Sequence, residues 1–348
     1  MSKTDMISDI TSNARKTPSR AVTMAAVGRM AGVSQVTVSR ALSDPSKVSS
    51  ETLRKIKEAI EATGFVPNAI AGALASKRSM LISALVPSIT NITYTSMIKP
   101  FNEVMRQNGY EILLSETGLA PDDEEKLIAA HLSRRPDAML LTGMRHTVAA
   151  RRSLLGAGIP VVEVWDTTET PIDLCVGFSH MEAGRSVAEF AAGKGYVRAA
   201  TVSAGDERAL RRKNAFSDRF TALTGNVVLE SNFEAQASLA NGRAGLSDLI
   251  DQHGFGDGVI FCSSDILAHG VVIEAQARGL RVPEDIAVIG FGDQDFAAHT
   301  HPAITTVRVD REALGRAAAD ALVQRFAGID LTAPLIDIGF EIQDRASS

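Results

Sequence analysis

The sequence predicts an α/β protein that carries a small all-α head at its N-terminal end. Residues 23–65 place apolar and small residues at helical spacing, interrupted at Gly32 and at Pro45. From Met80 onward, short apolar runs alternate with helical stretches, which is typical of parallel sheets covered by helices. Residues 1–80 hold 12 Lys+Arg against 6 Asp+Glu, and the remainder holds 24 against 35. A basic head on an acidic body indicates two parts with different partners.

The composition is that of a globular protein with more than one domain. The chain has 348 residues and is 45% hydrophobic, which predicts two or three domains. Its two cysteines, Cys175 and Cys262, form no disulfide or metal pattern, so we expect a cytoplasmic protein. No apolar run reaches the roughly 18 residues of a membrane span, and the N-terminus has no secretion-signal pattern. Residues 1–20 are polar and without periodicity, and we expect a disordered lead-in there.

Three short helices are predicted in the head. The first ends at Gly32, since glycine accepts the positive φ of a tight turn. Ser34 caps a second helix over Gln35–Leu42, because its hydroxyl can accept an orphan backbone N–H. Asp44 and Pro45 end that helix, and a serine at 49 or 50 caps a third. Two short helices joined by a tight turn and braced by a third predict a helix-turn-helix.

The outward side of the second helix carries Gln35, Thr37, Ser39 and Arg40. Glutamine can pair with adenine and arginine with guanine in the major groove of DNA. The alternative is an ordinary helical hairpin with a solvated polar face. The positive charge of the head favours DNA, so we predict that residues 21–66 bind double-stranded DNA.

Residues 67–79 are predicted to connect the head to the body. They contain a run of small residues with one large side chain, Leu74, and Gly72 weakens any isolated helix there. One interpretation is a flexible linker. The other is a hinge helix that forms only on docking and inserts Leu74 as an apolar wedge.

The body is predicted to contain two parallel-sheet units, residues 80 to about 178 and about 179 to 306. The strand candidates are LISALVP, EILLSE, AMLLTG, PVVEVW, AATVSA, GVIFCS and IAVIGF. The predicted helices are 95–108, 122–134, 181–194, 207–223, 239–253 and 264–278. In open α/β sheets, ligands bind beyond the carboxyl ends of the strands.

Polar residues follow several of these strands. They include the stretches 87–94, 205–212, 263–265 and 292–295. Carboxylates, arginines and hydroxyls at one edge suit a small polyhydroxy ligand. The alternatives are helix capping by Ser264 and Asp265, and a solvated face formed by Arg208, Arg211 and Arg212. Of these three arginines we expect one to matter for binding.

The sequence contains no motif that requires catalysis. A nucleophile elbow, a phosphate-binding loop and a dinucleotide-binding glycine motif are all missing. Of the seven histidines, only His299 and His301 lie close together, in a loop before Pro302. We therefore expect neither an enzyme, nor a metal site, nor a cofactor.

The head resembles that of the lac repressor family of bacterial transcription regulators. The matching pattern is A-G-V-S-x-x-T-V-S-R-x-L, followed by V-S, G-F-x-P-N and A-x-x-L-A at that family's distances. The body resembles the family's periplasmic-binding-protein-like ligand domain, through IPVVEVW, FSHMEAGR, SSDILAHG and VPEDIAVIGFGD. The resemblance runs from about Val22 to Asp344. Within the family, PSITNITYTSMI and DERALRRKNAF resemble the gluconate-type repressors most.

The resemblance implies which residues contact DNA. They are Thr23, Ser34, Gln35, Val36, Thr37, Ser39, Arg40 and Lys47 in the head, with Asn68, Ala71 and Leu74 on the hinge. Val36 stands where a polar base reader is common, so its contact is expected to be apolar, as to a thymine methyl. Leu74 matches the leucine that opens a central base step in the minor groove.

The resemblance also implies an effector cleft between two subdomains, one formed by 80–178 and 308–334, the other by 179–307 and 335–344. Trp165 replaces an acidic residue of the lac repressor, which argues against the same galactoside chemistry. Asp295 is added from the gluconate-type pattern. The expected effector contacts are Tyr94, Arg208, Arg212, Phe233, Asp265, Asp293 and Asp295.

Together these features predict a dimeric repressor that is released from operator DNA by a small sugar acid such as gluconate. A regulator that responds to a different sugar or a nucleobase is one alternative. A corepressor-type regulator, in which the ligand tightens DNA binding, is another. The alternative from a different class is a soluble sugar-binding protein with an incidental helical head.

Overall fold

The computed structural model describes residues 22–68, 72–73, 78–118, 120–329 and 333–348. The chain divides into two compact units, residues 1–79 and residues 80–348. The predicted lead-in, residues 1–20, and two predicted hinge residues, Ala71 and Leu74, lie outside the described residues. Within the described part of the chain, no helix has both the length and the apolarity needed to cross a membrane.

The head contains three helices, α1 (Met24–Ala31), α2 (Gln35–Ser43) and α3 (Ser50–Thr63). Each begins at a hydroxyl cap, because the side chains of Thr23, Ser34 and Ser49 accept hydrogen bonds from backbone N–H groups of the first turn. Gly32 ends α1 with a φ of 69°, a conformation that glycine adopts without steric cost. The turn predicted from the sequence is therefore present.

A small apolar core holds the three helices together. Val27 and Val38 are 0% exposed and Ile56 is 1% exposed, so each helix contributes one fully buried side chain. Burying such a side chain stabilises a fold by about 1.5–3 kcal/mol. A Cβ at Gly28 would lie 2.8 Å from the carbonyl oxygen of Val33, so α1 packs directly on the turn.

The second unit alternates strands and helices along the chain. Its strands are β1 (Leu81–Val86), β2 (Glu111–Glu116), β3 (Ala138–Thr142), β4 (Val161–Val164), β5 (Leu174–Gly177), β6 (Ala199–Ala204), β7 (Leu229–Phe233), β8 (Gly258–Cys262), β9 (Ile286–Phe291), β10 (Thr305–Arg308), β11 (Leu335–Asp337) and β12 (Glu341–Gln343). Its helices are α4 (Ile92–Gln107), α5 (Pro121–Leu132), α6 (Val148–Ala157), α7 (His180–Gly193), α8 (Glu207–Thr224), α9 (Leu239–Asp251), α10 (Asp265–Ala277) and α11 (Arg311–Phe326).

These strands form two six-stranded sheets among the described residues. The first has the order β11-β5-β4-β3-β1-β2 and the second has the order β12-β10-β9-β8-β6-β7. Neighbouring strands run parallel throughout, except that β12 is antiparallel to β10. All residues of β4, β5, β6 and β9 are buried, so these strands do not alternate between buried and solvent-exposed positions.

The chain passes between the two sheets three times. It leaves the first sheet after β5, returns after β10 to form α11, and leaves again after β11. A Cβ at Gly315 in α11 would lie 2.2 Å from the carbonyl oxygen of Met97 in α4, so these helices cross closely. The assignment of 335–344 to the second subdomain was wrong for Leu335–Asp337, because this strand pairs with β5 of the first sheet.

A buried histidine joins three parts of the first subdomain. The His146 side chain is 1% exposed, and its Nδ1 lies 2.9 Å from Oε2 of Glu124 on α5. Its Nε2 lies 3.3 Å from Oε1 of Glu163 on β4. Burial by itself would lower the pKa of His146, but the hydrogen bonds and charges of the two glutamates outweigh it and raise the pKa to about 9.

We expect this histidine to make stability depend on pH. Because its pKa is raised by folding, its stabilising effect is complete below the unfolded value of about 6.5 and is lost as the pH rises through about 9. The free energy of unfolding should therefore fall between pH 7 and pH 9.5, as measured by urea denaturation at a series of pH values. His146→Gln should flatten this profile. The control is His269→Gln, because burial lowers the pKa of His269 out of this range.

Candidate functional site

The outward side of α2 presents a row of accessible side chains. Gln35, Ser39 and Arg40 are exposed, and Val36 is 65% exposed, while Val38 on the opposite side is 0% exposed. The methyl groups of an exposed valine can contact a thymine methyl. The helix therefore offers side chains for both polar and apolar base contacts.

The remaining head residues predicted to contact DNA surround α2. Ser34 is exposed and its hydroxyl lies 2.9 Å from that of Thr37, which is half-buried. Thr23 is exposed at the start of α1. Lys47 is exposed on the 3-10 turn after α2, and its Nζ lies 3.3 Å from Oδ2 of Asp44. Asn68 is exposed after α3.

The second unit contains a cavity of about 350 Å3 between the carboxyl ends of its two sheets. Hydroxyl and amide side chains line both sides, and three aromatic side chains supply apolar walls. The polar lining includes Ser88, Thr90, Asn91, Gln236, Ser264 and Gln294, and the aromatic lining is Tyr94, Trp165 and Phe291. Convergent polar groups within apolar walls are typical of a small-molecule site.

Arg208 of α8 reaches across this cavity. Its Nη2 donates a hydrogen bond of 2.8 Å to the hydroxyl of Tyr94. Its Nε lies 3.7 Å from Oδ1 of Asp206, and its side chain is only 12% exposed. Its Nη1 is buried and has no hydrogen-bond partner among the described residues. This N–H group is therefore available to an oxygen atom of a ligand.

Arg212, one turn further along α8, is a buried cation among neutral partners. It is 4% exposed. Its Nη1 lies 2.8 Å from Nδ1 of His180, and its Nη2 donates a hydrogen bond of 3.0 Å to the carbonyl of Ser263. The guanidinium stacks on the ring of Phe291 at 3.7 Å. Burial lowers the pKa of Arg212 to about 10. No carboxylate of the described residues lies within ion-pair distance of it.

The charged residues lining the cavity leave an excess of positive charge. They are Arg208, Arg212 and Asp206. His180 also lines the cavity, but burial and the charge of Arg212 hold its pKa well below the usual value, so its ring is neutral. Two cations against one carboxylate give the cavity a net charge that a monoanionic ligand would balance. The alternative interpretation as a solvated face is wrong for Arg208 and Arg212, since the Arg208 side chain is 12% exposed and Arg212 is 4% exposed.

Four residues predicted to contact the effector do not line the cavity. Asp265 is 0% exposed and accepts hydrogen bonds from Thr306 and from the backbone N–H of Gln294. Asp293 pairs with Arg345 at 2.7 Å. Each carboxylate is thus used to join loops of the second sheet. Phe233 packs on the apolar core of the second subdomain, and Asp295 is exposed at the start of a 3-10 turn.

Other lining residues were not among the predicted contacts. Asp206 supplies the carboxylate, and His180 supports Arg212 from the start of α7. Phe291 is the last residue of β9, and Trp165 directly follows β4. The expectation that ligands bind beyond the carboxyl ends of the strands could therefore have identified both residues. Asp206 lies inside the predicted stretch 205–212. No sequence signal indicates that His180 lines the cavity, because it lies where the chain crosses from the first subdomain to the second.

Ion pairs also join the two subdomains beside the cavity. Arg211 of α8 pairs with Asp166, which follows β4 of the first sheet. Its Nε lies 3.3 Å from Oε1 of Glu207, and the same oxygen lies 2.7 Å from Nε of Arg145 in the first subdomain. These charged contacts depend on the angle between the subdomains.

A glycine on α7 determines where Arg212 lies. A Cβ at Gly184 would be 2.2 Å from the carbonyl oxygen of Arg212, so α7 and α8 touch backbone to backbone. We expect Gly184→Ala to lower the free energy of unfolding by about 1 kcal/mol or more, because the helices must separate.

The matched control is Gly193→Ala on the same helix. A Cβ there meets nothing within 4 Å, so this change should be neutral or stabilising by up to about 1 kcal/mol. Urea denaturation of both variants measures the difference. Equal free energies of unfolding for the two variants would contradict the close crossing.

Comparisons with known proteins give the family. A family model described as bacterial regulatory proteins, lacI family, matches residues 23–68, and a periplasmic binding protein-like domain matches residues 188–348. The transcriptional regulator GntR of Pseudomonas aeruginosa is 37% identical over 329 residues, covering 94% of this chain and 95% of that protein. GntR of Escherichia coli is 31% identical over 317 residues, covering 91% and 95%.

A solved structure of a regulator of this family from Silicibacter pomeroyi is similar over the whole fold. Its TM-score is 0.88 at 30% identity, covering 94% of this chain and 99% of that one. The relatives named here are transcriptional regulators, which identifies this chain as a regulator and not an enzyme. The helix-turn-helix head, the cavity-bearing body and these similarities together show that the chain is a DNA-binding transcription regulator of the lacI family.

Proposed function

We propose that this protein is a repressor that leaves its operator when a sugar acid, gluconate or a close relative, binds the cavity. It acts as a homodimer on double-stranded DNA. The head reads the operator through the exposed side of α2, with Arg40 and Gln35 as polar base readers and Val36 as an apolar one. Asn68, Ala71 and Leu74 are assigned to the hinge, and Thr23, Ser34, Thr37, Ser39 and Lys47 complete the contacts.

The observation that carries this proposal is the environment of Arg212. Arg212 is 4% exposed and is hydrogen-bonded to an imidazole nitrogen and a carbonyl oxygen, so it has lost its hydration without gaining a carboxylate at ion-pair distance among the described residues. Such burial is costly unless an opposite charge is supplied. A carboxylate on the ligand supplies it, and arginine binds carboxylates in a forked, charge-assisted geometry.

The rest of the cavity suits the hydroxyl groups of a sugar acid. Asp206 can accept hydrogen bonds from hydroxyls, and Nη1 of Arg208 can donate one. Tyr94 and Trp165, whose rings pack edge to face at 5.9 Å, offer apolar surface to the carbon chain. The regulators from Pseudomonas aeruginosa and Escherichia coli that this chain is similar to are both named GntR, and this supports the same class of effector. Phe233, Asp265, Asp293 and Asp295 are not part of this proposed site.

Release of DNA follows from the position of the cavity between the subdomains. A ligand there changes the angle between them, and with it the ion pairs of Arg211 and Glu207. The change reaches the dimer surface and the hinge, and so lowers operator affinity. Binding of this kind is reciprocal, so operator DNA must weaken the effector by the factor by which the effector weakens DNA binding.

Calorimetry on the full chain tests the proposal. Gluconate should bind more tightly than glucose, and at 100 times its dissociation constant it should stabilise the fold by about 2.7 kcal/mol. Adding it should release operator DNA recovered by selection from random duplexes. If neutral sugars or purines bind and gluconate does not, the sugar-acid assignment is overturned. Tighter operator binding in the presence of gluconate would instead indicate a corepressor.

A further inference from the structure

His180 stands at the first crossing between the two subdomains. It is the first residue of α7, directly after the chain leaves β5, and it is 3% exposed. Its ring packs against Phe178 with centroids 4.4 Å apart. A buried imidazole at a chain crossing needs partners for both of its nitrogens.

The two ring nitrogens of His180 connect the subdomains. Its Nε2 lies 2.7 Å from the carbonyl oxygen of Trp165 in the first subdomain. A carbonyl only accepts, so Nε2 carries the hydrogen. In the neutral ring Nδ1 is then an acceptor, and it receives the N–H of Arg212 at 2.8 Å. The ring thus joins the buried cation of the second subdomain to the backbone of the first.

Trp165 adopts a backbone conformation that requires such support. Its φ is 75°, in the left-handed region that bulky residues rarely adopt. The N–H of Trp165 donates to the carbonyl of Val176 at 3.1 Å. The carbonyl of Trp165 accepts the hydrogen bond from Nε2 of His180. This turn directs the indole to the cavity wall, where Trp165 is 4% exposed and its Nε1 is buried with no hydrogen-bond partner in the described ranges of the chain.

We propose that His180 is a positioning residue that holds Arg212 and the Trp165 indole together as one oxyanion-binding arrangement. In this arrangement Arg212 faces the carboxylate of the effector, and Nε1 of Trp165 donates to an oxygen of the same ligand. The inference rests on the proposed sugar-acid effector for the ligand, whereas the positioning of Trp165 belongs to the unliganded protein.

Three substitutions separate the two bonds of the ring. His180→Gln places an amide N–H near the Nε2 position and keeps the bond to Trp165. His180→Asn places an oxygen near the Nδ1 position and keeps the bond from Arg212. His180→Leu removes both. His269→Leu is the control, because His269 lies on α10 and its ring packs on Phe296, away from this arrangement.

Tryptophan emission of the full-length protein is the readout, because the chain contains a single tryptophan. In the unliganded protein, we expect acrylamide to quench Trp165 several-fold more strongly in His180→Asn and His180→Leu. His180→Gln and His269→Leu should be quenched like the wild type. Operator binding and the melting temperature of each variant show that it is folded, and if His180→Leu does not fold, the glutamine and asparagine pair decides.

Effector titration completes the test. We expect His180→Leu to weaken gluconate binding at least about tenfold, as for loss of a hydrogen bond that orients a charged group. Equal quenching of Trp165 in all variants would overturn the positioning role, and so would wild-type gluconate affinity in His180→Leu. Failure of gluconate to bind the wild type would overturn only the sugar-acid effector, because the quenching result does not depend on a ligand.

Discussion

Arg212→Gln is expected to weaken gluconate binding by about 2–5 kcal/mol, the usual cost of removing one partner of a buried charge pair. The substitution removes the only lining cation that has no carboxylate partner among the described residues. Calorimetry with gluconate and with glucitol, which carries a hydroxymethyl group in place of the carboxylate, measures the effect. The wild type should prefer gluconate, and the variant should lose that preference.

Two further measurements make this result specific. The unliganded Arg212→Gln variant should be at least as stable as the wild type, because a desolvated charge has been removed and the amide can still donate to Ser263. Arg243→Gln is the matched control, since Arg243 is half exposed and pairs with Glu274 on another part of the second subdomain. Wild-type gluconate affinity in Arg212→Gln would place the carboxylate elsewhere in the cavity.

Arg40→Ala is expected to weaken specific operator binding by about 1–3 kcal/mol, the range for a bidentate base contact. Arg40 is exposed on α2 and makes no ion pair with the described residues. Binding to random DNA should change much less, because a base contact contributes little there. Titration of labelled operator and random duplexes at one salt concentration gives both values.

The control for Arg40 is Arg54→Ala in the same head. Arg54 lies on α3 and pairs with Glu58 one turn along that helix, so it should leave the ratio of specific to random binding unchanged. If Arg40→Ala weakens binding to both duplexes equally, Arg40 contacts the phosphate backbone instead of a base.

Local chemistry was enough to predict the head. The caps Ser34 and Ser49 and the turn at Gly32 act within one or two helical turns, so their positions in the sequence determine where the helices begin and end. The strongly apolar strands of the body were predicted for the same reason. Recognition of the family and of its α/β fold with a helix-turn-helix head is confirmed by the comparisons.

Short or polar elements escaped prediction. The strand β7 reads LESNF and has only one buried residue, so it shows no apolar run. The strand β11 contains three residues and joins the first sheet only because β5 presents an unpaired edge to it. Pairing across more than 150 residues of chain leaves no trace in local periodicity, and the domain assignment of Leu335–Asp337 failed on that account.

The sequence by itself determined the kind of protein, the helix that we propose reads DNA, and three residues that line the cavity, Tyr94, Arg208 and Arg212. Only the tertiary structure decided which carboxylates are available to a ligand. Asp265 and Asp293 are occupied by Thr306 and Arg345, whereas Asp206 lines the cavity. It also decided that Arg212 has no carboxylate partner within the part of the chain that the structure describes. Partners of this kind come from separate strands and helices, and a side chain's charge balance depends on what the fold brings within a few ångströms of it.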